Sequence, residues 1–512
     1  MGIATRWGEQ RQTAAVTGVS EYQEPRTHQL EIVRRTKPPK PATRRHGAVA
    51  ALAESLLCFV AVIGLGLSLK TDFQNVRSAE YVATDYKTVY ASADLFRRGE
   101  NPFSMPEIVE EYRKSGVVLP KNMFGHMPVY PPVTLLALWP LTYLSMDQSA
   151  VAWLFASMLA VGAATSMLLS EARAQGLHWS NRMLLLAFTI GTPMLGYALD
   201  IGNVSPAVGA LATISLLIAI RESQRRARGS RWPSVAAGAA SLGAALCLKP
   251  HLTIWILVGI ALVCRRPGRI MAALAGGLFI LGNAISAVIL WNRGAMREVA
   301  GSFLAMLRSE RGSGSMAPAS REILHVKSQI TGLDSLLGLW VQPPWRNAII
   351  GAVLVSLFAL LLIAAKRSRW IRPDRNWQIL FVAAVFGVGM LVSYHRAHDA
   401  VILPGLLGLW ICQMTRRGFA RHMGKTTRWI YGAGSVGVVL LLVGSWFSIP
   451  AEAARGLSVW LHAPALYDLL TLRQAALMAA EMGVLLVVLS GLTGPGRQKD
   501  GTDFLGSVPG GQ

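Results

Sequence analysis

Charge is scarce in this chain: only 15% of its 512 residues are Asp, Glu, Lys or Arg, while 52% are hydrophobic. Apolar runs of about twenty residues recur from residue 49 onward, the length that crosses the hydrocarbon core of a bilayer. A soluble enzyme is excluded by that pattern, and an all-α polytopic membrane protein is implied. Acidic residues are the rarest charged class, 28 against 50 Lys and Arg, for a net charge of +22. Such a surplus can signal nucleic acid, but here the basic residues gather in short loops between apolar runs, as cytoplasmic loops do. No nucleic-acid partner is expected. Cysteine is also sparse: Cys58, Cys247, Cys264 and Cys412 lack CxxC or Cys/His spacing and read as inert core thiols. There is no HExxH and no third histidine spaced for zinc, so no metal is expected. Mid-span charges are few as well, which argues against a transporter or lipid flippase, whose pathways need them.

Residues 1–48 are polar and rich in Arg and Pro (Arg34-Arg35-Thr36-Lys37-Pro38-Pro39-Lys40) and read as a disordered basic cytoplasmic tail. Positive-inside reasoning sends the first span, about 50–69, outward and makes residues 70–148 an external loop with interfacial helices. The short apolar stretch 131–146, broken by Pro140, decides the rest. If it spans, the loop carrying Arg221, Arg225, Arg226, Arg228 and Arg231 falls outside. If it is external and only partly inserted, that loop and the later basic loops all fall inside. With the second choice, spans are expected near 149–170, 183–199, 205–220, 233–248, 251–264, 269–291, 347–365, 377–393, 400–414, 429–447 and 472–493. That gives about twelve transmembrane helices, a second external loop over 292–345, a domain over 49–493, a disordered tail over 494–512, and both termini in the cytoplasm.

The same threading brings the polar clusters to one face. Asp85, flanked by Tyr86 and Tyr90, could act as a general base, because partial burial makes a carboxylate a better proton acceptor. Alternatively Thr84 or Asp85 caps an amphipathic helix running to Phe96 and stopped by Gly99 and Pro102, with Asp94 a surface charge upon it. Tyr90, and Tyr130 in the turn His126-Met127-Pro128-Val129-Tyr130-Pro131-Pro132, are candidate substrate contacts, with a membrane-interface anchor the other reading of Tyr130. Asp200 and Asn203 sit at a helix turn where they can cap the next helix or touch substrate. Lys249 ends a helix on the face where positive charge is disfavoured, so it either snorkels or meets a phosphate. His395, Arg396, His398 and Asp399 crowd into five residues; Arg suits bidentate phosphate binding and His suits proton donation to a leaving group. A hydrated helix cap is the plainer reading of that turn.

The ordered set Asp85-Tyr86-Lys87-Thr88-Val89-Tyr90, Gly99-Glu100-Asn101-Pro102-Phe103, Val129-Tyr130-Pro131-Pro132, Gly202-Asn203, Leu248-Lys249-Pro250 and His398 before Leu403-Pro404 resembles glycosyltransferase family 87 over roughly residues 50–450. The resemblance implies a GT-C membrane fold and an enzyme that moves a hexose, mannose among them, or a pentose. The donor would be a polyprenyl-phosphate-linked sugar and the acceptor a lipid or glycan, at the extracytoplasmic face of a plasma membrane such as the bacterial inner membrane. It maps the base onto Asp85, and it favours His398 over His395 at a position where the family often carries adjacent histidines. Lys249, Arg396 and His398 are then the candidates for holding the departing phosphate, and no cofactor is called for. A transporter or flippase of lipid-linked saccharide and a non-catalytic membrane assembly protein are the two alternatives; the latter would tolerate loss of Asp85.

Overall fold

The computed structural model describes residues 83–116, 130–225, 232–312, 344–371, 375–392, 397–400 and 403–414, with Leu337, Val341 and Val459. The expected tails 1–48 and 494–512, the spans near 50–69, 429–447 and 472–493, and the residues His126, His395 and Arg396 lie outside the described residues. Every regular element among the described residues is helical.

Helices α1 (Thr84–Arg98) and α2 (Met105–Lys114) come first. They are followed by α3 (Pro132–Leu138), which runs into a 3-10 turn over Trp139–Tyr143. The long α4 (Met146–Ala174) opens on a capping box in which Ser145 and Gln148 satisfy each other's backbone N–H groups. The stretch expected as one span near 183–199 is two helices, α5 (Trp179–Ile190) and α6 (Pro193–Asp200). Pro193 has no N–H to donate and disfavours helical backbone at the residue before it, so the break falls there. Helices α7 (Ser205–Gln224), α8 (Trp232–Leu248), α9 (Pro250–Val263) and α10 (Arg266–Asn292) lie within a few residues of expectation. They are followed by α11 (Met296–Gly312), α12 (Trp345–Ile371), α13 (Arg375–Val392), a 3-10 turn over Ala397–Ala400 and α14 (Leu403–Met414).

Among the described residues, four helices, α4, α7, α10 and α12 to Lys366, are long and apolar enough to cross a membrane; 132–143, 181–190, α8, α9 and 377–391 are apolar but shorter. Helix α7 is apolar on nearly all sides and sits buried at the centre, packed on α4 and α8. By contrast α4 exposes Val151, Phe155 and Leu159, and α10 exposes Ile280, Leu281 and Val288. Contiguous apolar faces of this kind are stable against acyl chains rather than water. The chain is a membrane protein.

The bundle has two chemically distinct ends. At one, the C-termini of α4 and α7 meet the N-terminus of α13: Glu171 accepts from Arg375 Nη1 at 2.7 Å and from Arg221 Nε at 3.3 Å. Gln224 bonds both Arg375 and Gln378 there. At the other end, where α7 and α9 begin and α13 has finished, α1 lies against α3 and α4. Helix α1 runs past Phe96 to Arg98, and Tyr86 to Phe96 are all buried. One side is covered by α4, where the Tyr86 ring stacks on Trp153 at 5.5 Å and its hydroxyl pairs with Ser149 Oγ at 2.6 Å. The other is covered by α2 through Thr88 and the Tyr112 hydroxyl, 2.9 Å apart. Asp94 is correspondingly no surface charge: it is 4% exposed and bonded to Arg97 at 2.6 Å and Arg98 at 2.8 Å. Arg98 continues to Glu111 of α2, so a charge network ties the two helices. Helix α11, within the expected second loop, closes on the same end through Asn101 to Ser302 and Phe103 to Phe303.

Candidate active site

The turn between α6 and α7 shapes the site. Helix α6 ends with Asn203 N–H donating to Ala198 O and Gly202 N–H to Leu199 O, a Schellman closure with Gly202 at φ 67°. The turn then receives the start of α1. Ala83 N–H donates to Asp200 O at 2.8 Å and Asp85 N–H to Ile201 O at 2.9 Å. Neither the Thr84 nor the Asp85 side chain caps α1, contrary to the capping alternative; two carbonyls of a distant turn satisfy its first N–H groups. Ala83 is held at φ 59°, a left-handed conformation that costs alanine ~1–2 kcal/mol. The docking bonds offset that strain, and they leave the Asp85 carboxylate free to face the turn.

Gly202 permits this approach. A Cβ there would lie 2.7 Å from Tyr86 Cβ and 2.9 Å from Ala83 Cα, on a residue already at positive φ. Gly202→Ala is therefore expected to separate α1 from the turn, lowering the thermal midpoint and abolishing activity together. A variant with parental melting and activity would show that this contact is dispensable.

Four chain segments meet beside that glycine. Asn203 Nδ2 donates to Asp85 Oδ2 at 2.9 Å. Asn203 Oδ1 accepts from Ser205 N–H at 2.9 Å and from Lys249 Nζ at 3.4 Å, so the residue both opens α7 and reaches across to α1. Lys249, between α8 and α9, donates to Ser205 Oγ at 2.8 Å and to Asp399 Oδ1 at 2.5 Å. The Ser205 hydroxyl lies 2.6 Å from both Asn203 Oδ1 and Asp399 Oδ1, with one proton for the two. Asp399 belongs to the 3-10 turn before α14 and immediately follows His398. Lys249 is 6% exposed and Asp399 7%, whereas Asp85 keeps partial solvent contact. Asp85 Oδ1 accepts no hydrogen bond from any described residue, which leaves an acceptor oxygen on a carboxylate whose other oxygen is fixed.

The convergence expected from sequence is thus present for Asp85, Asn203, Lys249 and the late turn. Tyr90 is engaged elsewhere: its hydroxyl donates to Leu144 O at 2.7 Å, fastening α1 to the turn before α4. Tyr130 is half-buried just before α3 and packs against the buried cluster that includes Tyr86, Tyr90 and Leu135. His398 is placed by its backbone beside Asp399. Burial holds the Tyr112 hydroxyl above its ordinary pKa, and the charge of Asp85 pushes the same way, so this phenol stays protonated near the site. Two members were missed from sequence, Ser205 and Asp399 as partners of Lys249. Ser205 carried the Asn-x-Ser signal of a helix start, and Asp399 was noted only as part of its cluster. Among the described residues, no group of three or more His, Cys, Asp or Glu is arranged to hold a metal ion.

The cluster combines an oriented carboxylate, one oxygen of which no described residue bonds, with an amide donor and a buried ion pair at one end of an apolar bundle. No curated protein and no solved structure matches the chain. A model of glycosyltransferase family 87 matches residues 129–393, which include Asn203, Ser205 and Lys249 and leave Asp85 and Asp399 to either side. With that match spanning just over half of its length, the chain belongs to glycosyltransferase family 87.

Proposed function

We propose that this glycosyltransferase adopts the GT-C architecture and moves a hexose, mannose among them, or a pentose, from a polyprenyl-phosphate-linked donor to a lipid or glycan acceptor at the extracytoplasmic face of the plasma membrane. The observation that carries the reading is the meeting of Asp85 with Asn203, Ser205, Lys249 and Asp399 at one helix end of the bundle. In a single displacement, Asp85 Oδ1 takes the proton of an acceptor hydroxyl as its oxygen attacks the anomeric carbon. The bond from that carbon to the phosphate oxygen breaks, polyprenyl phosphate leaves with the electron pair, and the anomeric configuration inverts. Stabilising the departing anion is the main electrostatic task. Arg396 and His398 are proposed for it, because the Lys249 charge is already matched by Asp399.

Sidedness is supported by the opposite end of the bundle, where Arg221, Arg225, Arg265 and Arg375 gather with the expected basic loops, the pattern of a cytoplasmic face with both termini inside. Charged side chains of the described spanning helices also gather at helix ends, as with Asp147 and Glu171 on α4 and Arg221 and Glu222 on α7, rather than along a transport path.

Cysteine accessibility in intact cells tests the reading. A cysteine at Ser104, at the start of α2, should label with a membrane-impermeant thiol reagent, while cysteines at Ser230 and Thr426 should not. The reverse pattern would put the site in the cytoplasm, within reach of nucleotide sugars, and would overturn the choice of donor.

A further inference from the structure

We infer that Lys249 and Asp399 are positioning residues that fix the Asn203 carboxamide so that its NH2 group faces Asp85; this rests on the transferase reading above. The orientation follows from the donors around Asn203. Its Oδ1 receives the Ser205 backbone N–H and the Lys249 ammonium, groups that can only donate. Turning the amide over would set NH2 against those donors and the carbonyl oxygen against the Asp85 carboxylate. The bonded arrangement therefore excludes the flipped one, and Nδ2 remains on Asp85 Oδ2 at 2.9 Å.

Lys249 can do this only because it is itself held. Its three N–H donors meet three acceptors, Asp399 Oδ1, Ser205 Oγ and Asn203 Oδ1, at 2.5, 2.8 and 3.4 Å. The ammonium is spent within the protein, which separates this role from that of a phosphate ligand. Asp399 neutralises it and, through Ser205, ties the turn carrying His398 to the turn carrying Asn203. The interposed amide also matters chemically. A carboxylate bonded directly to an ammonium is a weakened base. Asn203 transmits the geometry of the ion pair to Asp85 without bringing the lysine charge into contact with it.

The test uses the full chain in lipid nanodiscs. Asp399→Asn and Lys249→Met should each lower kcat by at least ~10-fold, since misplacing a reacting group by about an ångström costs up to about 100-fold. Donor KM should stay at the parental value. In the Asp85→Asn background neither change should cost anything further, because both act through Asp85. Single variants leave a buried charge unpaired and could unfold, so Lys249→Met combined with Asp399→Leu, which removes both charges, is the second arm. In its cryo-EM structure Asn203 Nδ2 should have left Asp85 Oδ2. If instead the contact and kcat survive in the double variant, the inference is overturned. A raised donor KM with weakened inhibition by polyprenyl phosphate also overturns it and makes Lys249 a phosphate ligand. Should the parent use no lipid-linked sugar at all, the transferase reading fails separately, and the Asn203 geometry of the double variant still decides this inference.

Discussion

Asp85→Asn should lower sugar transfer by at least ~100-fold, the scale on which a general base contributes, while expression and melting stay parental. The substitution is well controlled by the site. The amide oxygen of an asparagine at this position can still accept from Asn203 Nδ2, and the Asp85 backbone N–H bond to Ile201 O is untouched. What is lost is the acceptor oxygen that no described residue occupies. Initial rates with saturating donor and acceptor give the answer. Retained transfer would remove Asp85 from the mechanism and point to a different base.

The largest stability effect is expected at the opposite end of the bundle. Glu171 is fully buried on α4 and accepts from Arg221 on α7 and Arg375 on α13, so one carboxylate joins three helices. Truncating one partner of a buried ion pair costs ~3–5 kcal/mol. Arg221 and Arg375 each keep about a third of their side chains exposed, which places Glu171→Ala at the low end, about 3 kcal/mol. Glu171→Gln, which keeps acceptor oxygen but loses charge, should fall between it and the parent. Thermal unfolding in detergent followed by tryptophan fluorescence measures both. Equal midpoints for all three proteins would show that this cluster contributes nothing to holding the bundle.

The helices were readable because their cause is local. Apolar runs set their lengths, and prolines in the first turn of α7, α9 and α10 mark their starts. The common face of Asp85, Asn203, Lys249 and Asp399 was also readable, since it needs only the alternation of helix direction and the placing of basic loops. What escaped depends on contacts across long stretches of chain. Asp94, with arginines three and four residues on, reads as a solvated helix charge, and only the packing of later elements on α1 buries it. The partner of Lys249 stands 150 residues away in a turn whose histidines and arginine draw attention first. A lysine where the expected topology disfavours positive charge reads as the sign of a bound anion, and the anion that Lys249 meets is a carboxylate of the same chain. The capping alternative for α1 failed for a related reason: the carbonyls that cap it belong to residues 200 and 201, which no reading of residues 83–98 alone could supply.

The central claim is that this cluster serves a lipid-borne donor, and the purified chain answers it in one assay. Incubated with a panel of polyprenyl-phosphate-linked hexoses and pentoses and an extract of membrane acceptors, it should release polyprenyl phosphate from at least one of them. Matching nucleotide sugars should be left intact. Consumption of a nucleotide sugar with every lipid-linked sugar untouched would contradict the account.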